Sequence, residues 1–250
     1  MKYEIAERLL ELNRSFYEEQ AASFSATRRR IQPGMARCLS EWISLHGGFP
    51  ASCGLRLLDV GCGNGNLAAW LIEQGYQGWY TGVDQAAGLL SHGPTGPDRV
   101  TFRIADLSRP DWLAELPTQP FDLITCFATL HHIPGEGLRL RLLRELKRLL
   151  APEGVFILSV WQINNSPRLL KRIQPWDQVG LTAAVVDQGD VLLDWRADGE
   201  ESGQAVRYVH IYNDDELQRL AEKSGFGIHQ SWVSDGKEGN LGLYQVWSRA

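Results

Sequence analysis

Leu57-Leu58-Asp59-Val60-Gly61-Cys62-Gly63-Asn64-Gly65-Asn66-Leu67 is the stretch that decides how this chain reads. The run from Leu55 to Val60, apolar except for Arg56 and Asp59, has the make-up of a buried strand. It ends on three alternating glycines, and a helical pattern of Leu67, Ala68, Leu71 and Ile72 opens at once. Strand, glycine turn and helix is the layout in which backbone N–H groups and a helix N-terminus approach a nucleotide-like ligand. Glycine permits positive φ and lets a ligand come where a Cβ would intrude. The same turn also serves as a plain left-handed turn, and its G-x-G-x-G spacing lacks the final glycine of the dinucleotide fingerprint.

Working outward, strand and helix alternate as far as residue 161, which argues for a doubly wound, mostly parallel α/β sheet with helices on both faces. Strands are expected at 55–60, 79–83, 100–104, 121–127 and 154–161, with helices near 65–74, 86–91, 110–116 and 137–150. In the last helix, Leu138, Leu142, Leu143, Leu146, Leu149 and Leu150 share one face, and the arginines and Lys147 take the other. Residues 1–50 read as helices, with Ile5, Leu9, Leu10, Leu12 and Phe16 on one stripe. The rhythm breaks over 162–205, where 191–195 has strand character and 197–203 reads as a polar turn. After an extended 206–212, Asn213-Asp214-Asp215-Glu216 has capping-box spacing, and strands at 227–233 and 240–248 close the chain. The expected organisation is a helical cap over the active site at 1–50, a ligand-binding core at 51–161, a substrate-side insertion at 162–205 and completion of the sheet at 206–250.

The 250 residues are 44% hydrophobic and 22% charged, which suits one soluble α/β domain carrying an insertion. A net charge of −5 argues against broad electrostatic capture of nucleic acid but leaves room for a local basic patch. Cys38, Cys53, Cys62 and Cys126 form no C-x-x-C pair, as expected of free thiols in a reducing compartment. The charged start lacks the apolar core of a signal peptide, and no run approaches the roughly 20 apolar residues that span a bilayer. A cytoplasmic protein with no membrane partner is expected. No Cys/His cluster has metal-ligand spacing, so no metal is expected either.

Asp84 ends the second strand, about 20 residues past the glycine turn, where an acid accepts both ribose hydroxyls of a nucleotide; an Asp there also suits a helix N-cap. Asp106 follows the third strand. The fourth, Phe121-Asp122-Leu123-Ile124-Thr125-Cys126-Phe127, runs into Ala128-Thr129-Leu130-His131-His132 at a strand end where open α/β sheets bind ligands. D-V-G-C-G-N-G and F-D-L-I-T-C-x-A-x-L-H-H-I-P resemble motifs I and IV of the class I S-adenosylmethionine (SAM)-dependent methyltransferases. The resemblance implies a Rossmann-like seven-stranded sheet, mostly parallel with an antiparallel C-terminal hairpin. It implies SAM as cofactor, with S-adenosylhomocysteine as product. Asp59, Gly61, Cys62, Gly63 and Gly65 would then cradle the cofactor, with Tyr17 closing over it. Asp84 and Gln85 would take the ribose, Ala105, Asp106 and Leu107 the adenine, and Phe127 the methionine end. His131 is the candidate base, or else holds its loop by hydrogen bonds; His132 shapes the pocket.

Phe16-Tyr17-Glu18-Glu19-Gln20-Ala21-Ala22-Ser23-Phe24-Ser25-Ala26-Thr27-Arg28 and Arg207-Tyr208-Val209-His210 carry a narrower resemblance. They are similar to the Y-x-x-x-A-x-x-F-S-x-T-R and R-Y-x-H elements of the tRNA wobble-uridine methyltransferases that esterify 5-carboxymethyluridine. That resemblance implies a tRNA acceptor and a small activating protein partner. It makes Arg28 the residue that positions the acceptor for catalysis, with Arg29, His132, Trp161, Tyr208 and His210 on the substrate side. The residues themselves favour packing on a strand for Tyr208 and His210 over contact with a substrate. The chain departs from the family at Gln32-Pro33, where the family has an aromatic before the proline, and in an insertion that sets Trp161, Trp176 and Trp195 among Arg168, Lys171 and Arg172. A carboxylate acceptor is already ionised at neutral pH and needs no base, whereas a hydroxyl or amine would call on His131. The acidic balance and aromatic insertion also suit a methyltransferase of a small metabolite. A SAM-binding regulatory protein without catalysis is the reading from another class.

Overall fold

A computed structural model describes residues 1–27, 30–196 and 205–250. Arg28, Arg29 and the expected turn at 197–203 lie outside the described residues. Three helices come first: α1 (Tyr3–Glu19), α2 (Ala21–Thr27) and α3 (Pro33–Leu45). The buried stripe of α1 is Ala6, Leu9, Leu10, Asn13 and Phe16, so a carboxamide sits in the middle of an apolar face. Pro33 opens α3 at a position where its missing N–H costs nothing.

The main sheet is built from β1 (Arg56–Val60), β2 (Trp79–Asp84), β3 (Val100–Ile104), β4 (Phe121–Phe127) and β5 (Leu150–Trp161), interleaved with α4 (Asn66–Glu73), α5 (Ala87–Leu90) and α6 (Glu136–Leu149). The segment expected to be a helix near 110–116 is a 3₁₀ turn, Pro110–Glu115. Beyond β5 come α7 (Pro167–Leu170), β6 (Ile173–Gln174), β7 (Asp190–Trp195), β8 (Ala205–His210), α8 (Asp214–Ser224), β9 (Phe226–Ser234) and β10 (Gly242–Arg249). Seven strands pair in the order β3-β2-β1-β4-β5-β10-β9. β1 to β5 are parallel, and β10 runs antiparallel to both β5 and β9. β6, β7 and β8 form a separate antiparallel sheet, so the extended segment after residue 205 joins β7 rather than the main sheet.

Two apolar layers sandwich the main sheet. One packs Leu142, Leu143 and Leu146 of α6 and Leu217 and Leu220 of α8 against Leu58, Ile124 and Phe156. The other packs Leu39 and Ile43 of α3 and Leu67 and Leu71 of α4 against Leu57, Leu123 and Ile157. Successive residues of one strand thus serve opposite layers, as the period of two requires. α6 departs from its expected polar face at Arg139, which is 1% exposed. Its guanidinium donates to the Ile133 carbonyl, the Tyr208 hydroxyl and Glu216. The Asn213 side chain caps α8 by accepting from Glu216 N–H, as the capping spacing foretold.

Strand order reverses between β1 and β4, and the second sheet and α1 roof the carboxyl ends of the strands there. That geometry leaves a crevice outside the strand ends.

Candidate active site

The glycine turn hangs on β2. Gly61 and Cys62 N–H both donate to the Val83 carbonyl, at 2.8 and 3.0 Å. Gly61 has φ +74°, and a Cβ there would collide with the Thr129 side chain. Gly63 has φ +55°, and a Cβ there would meet nothing within 4 Å. Gly61 is therefore small because the chain behind it is close, and Gly63 keeps its left-handed turn beside open space.

That space belongs to a cavity of about 760 Å³ running from the glycine turn to the second sheet. Gly61, Cys62, Gly63, Asp59, Asp84 and Gln85 line one end, together with Asp106, Leu107 and Phe127. Tyr17, His132 and Trp161 line it nearer the second sheet. Gly65 and Ala105 are not among its lining residues: Gly65 turns toward Pro94 and Phe102, and Ala105 is buried in the core.

The acids at the glycine end are braced. Asp84 accepts from Gly63 N–H and Ala86 N–H, each at 2.9 Å, one on each carboxylate oxygen. It therefore holds the turn as well as facing the cavity, and each oxygen keeps capacity for a further donor. Burial raises its pKa, against those backbone donors. Asp59, 3% exposed, accepts from the Tyr80 and Thr125 hydroxyls at 2.7 and 2.8 Å. Burial pushes its pKa up to about 6. Asp106 accepts from Ser108 and pairs with Arg14 of α1 at 2.8 Å.

The histidines divide. His131 is fully buried and is not among the cavity's lining residues, which corrects the expectation of a base at that position. Its Nδ1 accepts from Trp161 N–H at 3.4 Å, and burial drives its pKa well below the ordinary imidazole value. His132 faces the cavity instead. Its Nδ1 lies 3.0 Å from the Tyr208 carbonyl, which can only accept, so Nδ1 carries the proton and Nε2 is an acceptor. The Tyr17 hydroxyl donates to that Nε2 at 2.7 Å. Burial, reinforced by the Arg207 charge, pushes His132 down to about 3. Both rings are neutral at physiological pH, and neither offers the cavity an unengaged basic nitrogen.

Tyr208 and His210 also stand away from the cavity. Tyr208 donates to Asp190 and receives from Arg139, while His210 bonds Asp190 at 2.6 Å and Glu216 at 2.9 Å. The strand's alternation sends them to one face and Arg207 to the other. Arg207 is the cavity residue here, and with it Trp195, Arg168, Arg172 and Arg196. The R-Y-x-H resemblance points to Tyr208 and His210, whose packing role holds, and not to Arg207. The available signal was the odd position of Arg207 between Val206 and Tyr208.

Arg207 is 3% exposed and lies among four rings, its guanidinium carbon 5.0 Å from Phe16, 5.9 Å from Tyr17, 4.8 Å from Trp161 and 5.5 Å from Trp195. Nη1 donates to the Tyr17 hydroxyl oxygen at 3.4 Å, and Nε has no partner among the described residues. Among the described residues no carboxylate pairs with it. One end of the cavity is therefore acidic and glycine-lined, the other cationic and aromatic.

No group of three or more His, Cys, Asp or Glu among the described residues is arranged to hold a metal ion. No helix among them is long and apolar enough to cross a membrane.

A family model described as a methyltransferase domain matches residues 8–231, and the chain belongs to that family of methyl-transfer enzymes. A protein of Encephalitozoon cuniculi provisionally named a methyltransferase is 30% identical over 216 residues, 85% of this chain and 86% of its own. The ubiquinone biosynthesis O-methyltransferase of Neisseria meningitidis is 31% identical over 120 residues, which is 46% of this chain and under half, 47%, of that one. The fold matches the 1,6-didemethyltoxoflavin-N1-methyltransferase of Burkholderia thailandensis, solved with its acceptor and S-adenosylhomocysteine. The TM-score is 0.60 at 20% identity, over 99% of this chain and 89% of that chain.

Proposed function

We propose that this chain is a SAM-dependent methyltransferase that esterifies a carboxylate, carried on tRNA as the carboxymethyl group of a wobble uridine. The observation that carries the reading is the polarity of the cavity. A glycine cradle with Asp84 stands at one end, and an arginine wall without an unengaged base stands at the other. The residues present fit the cofactor: Gly63 leaves room where a Cβ would stand, and Asp84 keeps acceptor capacity for ribose hydroxyls.

When bound, SAM would supply an electrophilic methyl group for a carboxylate oxygen to accept, with S-adenosylhomocysteine as the neutral leaving product. No proton moves, so the absence of an unengaged histidine nitrogen in the cavity is no obstacle. The chain's own work is to align the two ligands and keep water out. Asp84 and the glycine turn fix one, the arginine wall draws the other, and Tyr17 and Phe24 of the first two helices cover the cavity.

A small-molecule acceptor is the second reading. It is supported by the small-molecule acceptor named for the Burkholderia structure and by the chain's net charge of −5. Incubation with methyl-labelled SAM and either total tRNA or a metabolite extract separates the two. Mild alkali then releases label as methanol only from an ester. Alkali-labile label in tRNA is the expected result, and label confined to small molecules selects the second reading. Label that survives alkali in either pool overturns the carboxylate.

A further inference from the structure

We propose that Arg207 is the specificity-determining residue of this site, a donor-only receptor for the acceptor's carboxylate that does not recognise the methyl ester it becomes. The inference rests on the carboxylate reading above and deepens it.

Taking a guanidinium out of water is costly unless an anion or an equivalent partner replaces the lost hydration. Arg207 is buried, yet the described residues give it no carboxylate. The four rings around it supply cation–π attraction, which recovers part of the cost and fixes the plane of the fork. Its Nε and the Trp195 Nε1 are both buried N–H groups without a partner among the described residues. Two unsatisfied donors on paired strands, beside a cavity, are an arrangement that an acceptor-rich ligand completes.

The neighbouring groups keep it donor-only. Because the Tyr208 carbonyl takes the His132 Nδ1 proton, His132 Nε2 takes the Tyr17 proton, and the Tyr17 oxygen is left to receive Arg207 Nη1. Tyr17 thus orients the guanidinium rather than competing with it for the ligand. Asn13 holds the same construction from behind. Its oxygen accepts from Tyr208 N–H at 2.7 Å and its nitrogen donates to the Tyr208 carbonyl at 3.1 Å.

A carboxylate fits a planar fork with two parallel hydrogen bonds, and the charge assists both. Methyl transfer removes that charge and leaves one oxygen alkylated. The residue that favours the substrate therefore loses its hold on the product in the same step.

The test is calorimetric titration of the S-adenosylhomocysteine-loaded protein with 5-carboxymethyluridine and with its methyl ester. Wild type is expected to prefer the acid by about 10- to 100-fold, the range of a charged hydrogen-bonded pair. Arg207→Gln is expected to erase the preference while binding S-adenosylhomocysteine as wild type does. Should Arg207→Gln fail to bind S-adenosylhomocysteine, Arg207→Lys carries the test: a point charge without the fork keeps a reduced preference. A full preference retained in the folded Gln variant, or in the Lys variant, overturns the assignment of Arg207 and leaves the carboxylate reading standing. No preference, or no binding, in wild type overturns the carboxymethyluridine reading and this inference with it.

Discussion

Asn13, a helical residue, treats Tyr208 as a neighbouring strand would, bonding both its N–H and its carbonyl through one carboxamide. β8 is an edge strand of the second sheet, and Asn13 satisfies backbone groups on that edge which burial would otherwise leave unpaired. Replacing it by leucine keeps the apolar stripe of α1 but abandons two buried groups, at about 1–3 kcal/mol each. Asn13→Leu should therefore lower the melting temperature by several degrees, about 2–4 °C per kcal/mol at this chain length. A melting curve superimposable on wild type would show that the bonds contribute nothing.

Asp84 carries two duties, bracing Gly63 and facing the cavity. Asp84→Asn keeps an acceptor for one backbone N–H but loses the charge that ribose hydroxyls would bond. S-adenosylhomocysteine affinity should fall about 10-fold or more, the cost of one charged hydrogen bond, with little loss of stability. Titration calorimetry measures it, and wild-type affinity would remove Asp84 from the cofactor site.

The pH dependence of methyl transfer should carry no histidine inflection. His132 is pushed down to about 3 and His131 lies well below its ordinary value, so both stay neutral across the working range. A carboxylate acceptor is ionised throughout that range. kcat/KM measured between pH 6 and 8 should be flat, and a rise with an apparent pKa near 6.5 would point to a base that these residues do not supply.

His210 gives stability a different slope. Burial opposes its charge, but hydrogen bonds to Asp190 and Glu216 prevail and raise its pKa, with Arg139 nearby working against them. Tyr208 also bonds Asp190, and Tyr212 stacks edge-on to the ring. A folded-state pKa above the unfolded one adds stability that is complete below the ordinary imidazole value and lost as pH climbs through the folded value. His210→Gln should cost about 3 kcal/mol at pH 6, as for breaking a buried ion pair, and less at pH 9. Denaturant titrations at the two pH values measure the gap, and an equal or wider gap at pH 9 would contradict the charged pairing.

The main sheet was legible because each strand begins or ends on a residue type that leaves little choice. Leu55 to Val60 running into three glycines, and the leucines of α6 running into Pro152, fix element and boundary together. The glycine end of the cavity was legible for the same reason, since Gly63, Asp84 and Asp106 all sit at strand ends. The acceptor end was not. Tyr208 and Arg207 are adjacent and both buried, so burial alone gives no sign of which faces the cavity, and the motif drew attention to the wrong face. His131 and His132 pose the same problem within one 3₁₀ turn. Asn13 was visible as a polar residue in an apolar stripe, but its partner lies 195 positions away. Long-range pairs such as Arg14 with Asp106 leave no local trace at all.

Arg14 pairs with Asp106 beyond β3, and Glu18 accepts from Gly88 N–H beyond β2. Asn13 and Tyr17, interleaved with them on α1, reach β8 and Arg207. These residues span little more than one turn of helix, about 8 Å at 1.5 Å per residue. A strut so short cannot seat at one end of the cavity independently of the other. On the proposed reading, a ligand that seats this helix at one end of the cavity would raise affinity at the other end by the same factor, whichever arrives first.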